Sequence, residues 1–180
     1  MPTLRTERLD LEPMSTSDLD WYAAFAADAE IMRYIGASGP LSYAQAQERL
    51  ARYVRCWSEN GLGMFGVRLR GEDAPIGWAG LQPLDKTDEI EVGYAFGKEA
   101  WGRGFATEVA GAAVRWGFEE RGLDRIVAVA SAENAGSRRV MDKLGMRYEG
   151  VRPAYGHDSV YYSLTRAAFD AAALLRAPAR

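Results

Sequence analysis

The sequence contains few of the residues that disulfide bonds and metal sites require. Its 180 residues include one cysteine, Cys56, and one histidine, His157. A single cysteine excludes an intramolecular disulfide framework, and one cysteine beside one histidine argues against a zinc site. No apolar run approaches the roughly 18 residues of a membrane span, and residues 1–10 lack the apolar core of a signal peptide. We therefore expect a soluble, cytoplasmic protein without a membrane segment or a bound metal.

The charges are nearly balanced, with a small acidic excess. Lys plus Arg number 22 and Asp plus Glu number 25, which gives a net charge of −3. Proteins that neutralise a nucleic-acid backbone are normally basic overall, so this balance argues against a nucleic-acid partner. The length and the hydrophobic fraction of 48% suit one domain with its own core. We expect a single domain over residues 1–180, with a short tail after about residue 175.

The first half of the chain begins with a strand pattern and a helix signal and then becomes strand-rich. Period-two alternation predicts one strand over residues 4–13. Ser42 and Gln45 form a capping-box pattern that predicts a helix extending to Asn60 and ending at Gly61. Three strand candidates follow it at residues 64–70, 75–84 and 89–96. The short polar turns between these candidates predict an antiparallel meander.

From residue 105 onwards, helix and strand patterns alternate. Helices are predicted over residues 105–121 and 135–144, and strands over residues 125–131, 146–155 and 160–165, with a turn at 155–158. An Ala-rich helix ends near Leu175. An antiparallel meander followed by alternating helices and strands predicts an α+β fold. We expect a central mixed, mostly antiparallel sheet of six or seven strands with helices on both faces.

The most informative segment is a glycine-containing turn between a predicted strand and a predicted helix. It reads Trp101-Gly102-Arg103-Gly104-Phe105-Ala106-Thr107-Glu108. Glycine and alanine remove side chains where the first helical amides are unpaired, which favours an anion such as a pyrophosphate. The alternative is that these glycines only relieve backbone strain.

Two other phosphate-binding motifs do not fit this turn. A dinucleotide-binding fingerprint needs a third glycine where this chain has Thr107, and a Walker P-loop needs a Gly-Lys-Ser/Thr tripeptide that does not occur. These departures argue against a nucleotide-binding oxidoreductase or a kinase.

The sequence resembles the GNAT family of N-acetyltransferases, and most closely the branch with ribosomal-protein N-terminal-alanine acetyltransferases. The resemblance rests on Thr6-Glu7-Arg8-Leu9, Gly77-Trp78-Ala79-Gly80-Leu81, Glu91-Val92-Gly93-Tyr94, the glycine turn, Asn134, Ser137 and residues 140–146. It implies a GNAT fold, in which the sheet opens between the strands at 89–96 and 125–131. A homodimer is compatible with this branch.

The resemblance also implies acetyl-coenzyme A as the co-substrate. Backbone amides of residues 102–107 would hold its pyrophosphate, the strand end at residues 94–96 would pair with its pantetheine arm, and Asn134 would bond that arm or its neighbouring backbone. The implied contacts are Tyr94, Ala95, Phe96, Trp101, Gly102, Arg103, Gly104, Phe105, Ala106, Thr107, Asn134 and Ser137. Arg103, Arg138 and Arg139 are candidate phosphate-binding cations, with Arg103 preferred.

Acetyl transfer to an amine needs a proton acceptor for the amine and help for the leaving thiolate. Glu89 and Glu91 share one face of a predicted strand. The resemblance favours Glu91 as the base, directly or through water, whereas the alternative is a charged residue on a solvated face. A backbone N–H near Tyr94 is the implied oxyanion donor.

The leaving-group end departs from the pattern of the family. Many members carry a tyrosine where this chain has Met141, which cannot donate a proton. Ser137 is the nearest replacement, and the alternatives are a structural role for Ser137 or no general acid at all.

These features predict an acetyl-coenzyme A-dependent N-acetyltransferase that transfers the acetyl group directly to a primary amine in a ternary complex. The alternative is a non-catalytic module that senses acyl-coenzyme A or mediates an interaction. The acceptor stays open between a protein N-terminus and a small molecule such as a polyamine, an amino acid or an aminoglycoside-like compound. His157 is either a solvent-exposed turn residue or part of the mouth of the acceptor site.

Overall fold

The computed structural model describes residues 1–36 and 39–176. The strands are β1 (Leu4–Arg5), β2 (Leu9–Pro13), β3 (Met64–Leu69), β4 (Pro75–Pro83), β5 (Ile90–Phe96), β6 (Arg125–Ala130), β7 (Arg147–Ala154) and β8 (His157–Thr165). The helices are α1 (Leu19–Ala26), α2 (Ala29–Met32), α3 (Tyr43–Asn60), α4 (Phe105–Glu119), α5 (Ala135–Lys143) and α6 (Arg166–Arg176). Most of the predicted tail, residues 177–180, lies outside the described residues.

The described strands form one sheet of eight in the order β1-β2-β3-β4-β5-β6-β8-β7. Neighbouring strands run antiparallel except β5 and β6, which are parallel. The mixed, mostly antiparallel α+β architecture is therefore confirmed, with more strands than the predicted six or seven. The predicted single strand over residues 4–13 is wrong, because Thr6 turns the chain: its amide donates to the Leu9 carbonyl at 2.9 Å.

The helices cover both faces of the sheet, as predicted. Helices α1 to α3 enclose one core with Met64, Trp78 and Ala95 from the sheet. Helices α4 and α5 pack on the opposite face, in a core that contains Val92 and Phe96. Successive side chains of β5 thus point alternately to the two faces of the sheet, as a pleated strand requires.

Local sequence signals set the bounds of α3. The Ser42 hydroxyl accepts a bond from the Gln45 amide at 3.3 Å, and the Gln45 side chain accepts one from the Ser42 amide at 2.9 Å. Gly61, with φ of 63°, ends the helix in the left-handed conformation. The capping-box prediction for this helix is confirmed.

The sheet opens between β5 and β6. These strands share one ladder position, Glu91 opposite Val127, whereas β4 and β5 pair continuously from Gly77 opposite Phe96 to Pro83 opposite Ile90. The opening predicted between these strands is confirmed, and it leaves the edge of β5 beyond Glu91 without a strand partner. Within the described part of the chain, no helix is both long enough and apolar enough to cross a bilayer.

Candidate active site

The glycine turn lies at the N-terminus of α4. Gly102 and Gly104 have φ of 74° and 81°, in the left-handed region that side chains with a Cβ rarely adopt. Gly104 is the N-cap residue and offers no side chain to the helix, and the Glu108 amide bonds the Gly104 carbonyl at 3.2 Å. The three preceding amides, residues 105–107, therefore lack an intrahelical acceptor and point out of the positive end of the helix.

The segment between β1 and β2 braces this turn. Arg8 donates to the Arg103 carbonyl at 3.0 Å and pairs with the Glu108 carboxylate at 2.6 Å. The Thr6 hydroxyl also donates to Glu108, at 2.6 Å. Trp101 ties the other end of the turn to the sheet, because its indole N–H donates to the Phe96 carbonyl at 2.8 Å. The turn is therefore fixed in position before any anion binds.

A cavity of about 610 Å³ lies along the turn, and we call it the glycine-turn cleft. It is lined by every predicted co-substrate contact except Arg103, whose guanidinium carbon lies 4.6 Å from the centre of the Phe105 ring. Of the other two candidate cations, Arg139 lines the cleft and Arg138 does not. Arg33 and Lys143, which the sequence analysis did not select, also line it.

Glu91 lies where the sheet begins to open, opposite Val127, in a polar but buried position. It is 5% exposed, and its Oε1 accepts bonds from the side-chain amide of Gln82 at 2.7 Å and from the Tyr155 hydroxyl. Burial is the largest effect on the Glu91 carboxyl and raises its pKa to about 7, although the two hydrogen bonds act in the opposite direction and lower that pKa. Glu91 is therefore a carboxyl that exchanges a proton near neutral pH.

Tyr155 reaches Glu91 from the turn between β7 and β8. This turn has two residues, Tyr155 and Gly156, with φ of 53° and 85°. The predicted turn at 155–158 is too long, since His157 and Asp158 already pair with Ala154 and Pro153 in the β7–β8 ladder. Asp85 holds the turn against the meander by accepting the Tyr155 amide at 2.8 Å.

Glu89, the second predicted carboxylate, does not line either cavity. Its Oε1 accepts bonds from the Tyr161 hydroxyl at 2.5 Å and from Arg125 at 3.3 Å. Glu89 therefore joins a network of polar side chains between β5, β6 and β8, apart from Glu91.

Ser137 and Tyr94 meet across the sheet opening. Their hydroxyl oxygens lie 2.9 Å apart, and the Tyr94 hydroxyl also lies 3.2 Å from the Ser137 carbonyl, to which it donates. Asn134 is the N-cap of α5, and its side chain accepts the Ser137 amide at 3.0 Å. Burial raises the pKa of Tyr94 to about 12, so its hydroxyl is protonated at neutral pH.

A second cavity, of about 390 Å³, surrounds Glu91, and we call it the Glu91 cleft. Tyr94, Asn134 and Ser137 line this cleft as well as the glycine-turn cleft, so the two cavities meet at these residues. His157 and the buried Met141 also line the Glu91 cleft. Among the polar residues of this cleft that sequence reasoning did not select are Arg49, Arg52, Gln82 and Tyr155.

Comparison with known proteins identifies the family. Residues 8–147 match the acetyltransferase (GNAT) domain family. The uncharacterized N-acetyltransferase YoaA of Bacillus subtilis is 31% identical over 172 residues, which cover 92% of this chain and 97% of YoaA. The FsC-acetyl coenzyme A-N(2)-transacetylase of Aspergillus fumigatus is 29% identical over 182 residues, which cover 92% of this chain and 77% of that protein. The crystal structure of an acetyltransferase from Agrobacterium tumefaciens is 28% identical, with a TM-score of 0.81 over 91% of this chain and 94% of that chain. The chain therefore belongs to the GNAT acetyltransferase family and is an acyltransferase.

Proposed function

We propose that this protein transfers an acetyl group from acetyl-coenzyme A directly to a primary amine while both substrates are bound. The meeting of the two cavities at Tyr94, Asn134 and Ser137 carries this proposal. One cavity offers unpaired amides for an anion, and the other contains a carboxyl that titrates near neutral pH. A thioester lying in the first cavity would therefore face an amine lying in the second.

The residues of the glycine-turn cleft suit coenzyme A chemically. The free amides of residues 105–107 and the positive end of α4 suit a pyrophosphate. Arg33, Arg139 and Lys143 add positive charge along the same cavity. The unpaired edge of β5 beyond Glu91 leaves backbone groups free to bond the amides of a pantetheine arm. The name of the Aspergillus relative also specifies acetyl coenzyme A.

Glu91 is proposed to accept the proton of the amine. A free α-amine has a pKa near 7.7–8.0 and a lysine amine near 10.4, so both are largely protonated at pH 7. A base works best when its pKa lies near the working pH, and burial gives Glu91 a pKa of about 7. Gln82 and Tyr155 hold the carboxyl in one orientation through Oε1, which leaves Oε2 for an amine or a water molecule.

Ser137 is proposed to donate a hydrogen bond towards the departing sulfur. Its hydroxyl lies where the two cavities meet, and Asn134 fixes the first turn of α5 that carries it. The Tyr94 hydroxyl donates to the Ser137 carbonyl and lies 2.9 Å from the Ser137 hydroxyl, so it helps to hold Ser137 at this position. Acetyl-coenzyme A itself supplies an activated acetyl group and a thiolate leaving group, whose pKa as a thiol is about 8.5.

Calorimetric titration with acetyl-coenzyme A, followed by initial-rate kinetics with a panel of amines, tests the proposal. We expect saturable binding without any amine, and rate plots whose lines intersect when both substrates are varied. Parallel lines together with an acetylated protein would instead indicate transfer through the enzyme. Absence of binding at saturating acetyl-coenzyme A would exclude the proposed function.

A further inference from the structure

Two arginines of α3 reach into the Glu91 cleft. Arg49 and Arg52 are three residues apart, so their side chains extend from the same face of the helix, and both line the cavity. Arg49 is half-buried, with its guanidinium beside Gly36 at the rim. Both guanidiniums lie close enough to the buried Tyr53 hydroxyl to oppose the increase that burial causes in its pKa.

Neither arginine has a carboxylate partner within residues 1–36 and 39–176. Arg68 and Arg125, by contrast, each pair with two acidic side chains. Like charges one helical turn apart repel, and a half-buried charge is normally paired. Arg49 is half-buried and Arg52 is exposed, so this repulsion is small, and an anion in the cleft would reduce it further.

Trp78 also borders this cavity, but its indole N–H is enclosed by the protein and does not face the cavity. Its ring lines the cleft, and its buried indole N–H is the one buried side-chain polar atom without a hydrogen-bond partner among the described residues. A guanidinium is only a donor. Arg49 and Arg52, which we call the donor subsite, thus offer hydrogen-bond donors and positive charge to the cleft.

The carboxylates of the cleft do not neutralise this subsite. Asp85 is engaged with the Tyr155 amide, and Glu91 with Gln82 and Tyr155. Arg52 lowers the pKa of Glu91 less than either hydrogen bond does, while burial raises it to about 7. The cleft therefore has a cationic part, suited to an anion, and a separate proton acceptor, suited to an amine.

The volume of the cleft suits a small molecule that joins these two parts. The cleft's 390 Å³ lies near the lower end of the roughly 300–1,000 Å³ typical of small-molecule sites. Guanidinium groups match the planar fork of a carboxylate and can bind it through two parallel hydrogen bonds. We infer that the acceptor is a small amine carrying a carboxylate, of amino-acid size, whose carboxylate binds the donor subsite while its amine faces Glu91. This inference rests on the proposed acetyl transfer.

Matched acceptor pairs test the inference. Acetylation is measured with the common amino acids, β-alanine and 4-aminobutyrate, each beside its carboxamide, and with aminoalkylphosphonates, a polyamine and an aminoglycoside. We expect at least one acid to exceed its carboxamide about tenfold or more in kcat/KM, since a charge-assisted bond is lost in the amide. A preference for the phosphonate would assign the subsite to a phosphate-like anion and overturn the carboxylate.

Arg49→Gln and Arg52→Gln identify the residues responsible. Each variant should raise KM for the preferred acid about tenfold or more relative to KM for its carboxamide, while the Kd for acetyl-coenzyme A stays unchanged. Arg55→Gln is the matched control, because Arg55 lies on the same helix but lines neither cavity. It should leave all of these values unchanged.

A binding measurement separates failure of this inference from failure of the proposed function. The protein saturated with coenzyme A is titrated calorimetrically with the acids and the carboxamides. Binding of acids that is lost in the Arg49→Gln and Arg52→Gln double variant supports the subsite. If acetyl-coenzyme A binds but acids and carboxamides bind and react equally, the inference is wrong and acetyl transfer stands. If acetyl-coenzyme A does not bind at all, both are wrong.

Discussion

The hydroxyl of Tyr155 donates a hydrogen bond to Oε1 of Glu91, a residue 64 positions earlier in the chain. Tyr155 reaches it from a left-handed backbone conformation that is uncommon for any residue but glycine. The Asp85 carboxylate, which accepts the Tyr155 amide, helps to hold the turn in place. The structure thus maintains a strained turn residue at the point where its hydroxyl stabilises the ionised form of the proposed base.

Tyr155→Phe tests this relationship. Removing the hydroxyl takes away a bond that lowers the pKa of Glu91, so that pKa should rise. A base with a higher pKa is less ionised at neutral pH, so the acidic limb of the pH profile of kcat/KM should move to higher pH.

Tyr148→Phe is the matched control, because Tyr148 is 51% exposed and lines neither cavity. Its pH profile should equal that of the unmodified protein. A Tyr155→Phe protein with an unshifted acidic limb would show that Tyr155 has only a structural role.

Glu91→Gln tests the proposed base itself. The glutamine carbonyl can still accept the bonds from Gln82 and Tyr155, so the site should keep its shape and bind acetyl-coenzyme A normally. Loss of a general base typically lowers turnover by about 10²- to 10⁴-fold, and we expect kcat to fall within that range. Full turnover together with normal acetyl-coenzyme A binding would remove Glu91 from this role.

Glu91→Gln should also change how the free energy of unfolding depends on pH. The pKa of Glu91 is about 7 in the folded protein, above the ordinary value of 4.5 expected when the chain is unfolded. Between these values the folded state keeps a proton that the unfolded state releases, so the free energy of unfolding falls as pH rises. Glutamine does not titrate, so Glu91→Gln removes this loss. The difference in the free energy of unfolding between the variant and the unmodified protein should therefore increase in favour of the variant, by up to about 3 kcal/mol, as pH rises from about 5 to about 8.

Denaturant unfolding at both pH values measures this gain. Glu89→Gln is the control, since Glu89 is bonded to Tyr161 and Arg125 outside the clefts. A stability difference between Glu91→Gln and the unmodified protein that stays constant with pH would contradict the raised pKa.

Features encoded locally in the sequence were predicted well. The ends of α3 depend on Ser42, Gln45 and Gly61, which are close in sequence to the backbone groups that they satisfy. In the glycine turn, likewise, the left-handed residue Gly104 directly precedes the amides that the turn exposes. The sequence also indicated the strand that carries Glu91, although not the burial of that carboxyl.

Features that depend on long-range packing were missed. Gln82 contacts Glu91 because of the β4–β5 register, and Tyr155 does so because β8 inserts between β6 and β7. No local pattern marks Arg49 and Arg52 as cleft residues, because their position there depends on how α3 packs over the sheet. The turn at Thr6 depends partly on Glu108, about a hundred residues away, and no local pattern indicated it.

Gly102→Ala tests the anion site. Alanine in the left-handed conformation costs about 1–2 kcal/mol, and at Gly102 it also disturbs a turn that lines the glycine-turn cleft. We expect the affinity for acetyl-coenzyme A to fall about tenfold or more, measured by calorimetry.

Gly122→Ala supplies a matched control for backbone strain. Gly122 has φ of 69°, an added Cβ would meet no atom within 4 Å at either glycine, and Gly122 lines neither cavity. Both variants should lose similar stability in a thermal melt, and only Gly102→Ala should lose affinity. Equal affinity in the two variants would argue against coenzyme A binding at the turn.

The central claim is direct acetyl transfer from acetyl-coenzyme A to an amine, and isotope-resolved mass spectrometry tests it most directly. The protein is incubated with acetyl-coenzyme A carrying a deuterated acetyl group and with the panel of amines. We expect the deuterated acetyl group on an amine of the panel, only when protein and both substrates are present, and no acetylated protein. Binding of acetyl-coenzyme A without any acetylated amine, or an acetyl group that accumulates on the protein, would contradict this account.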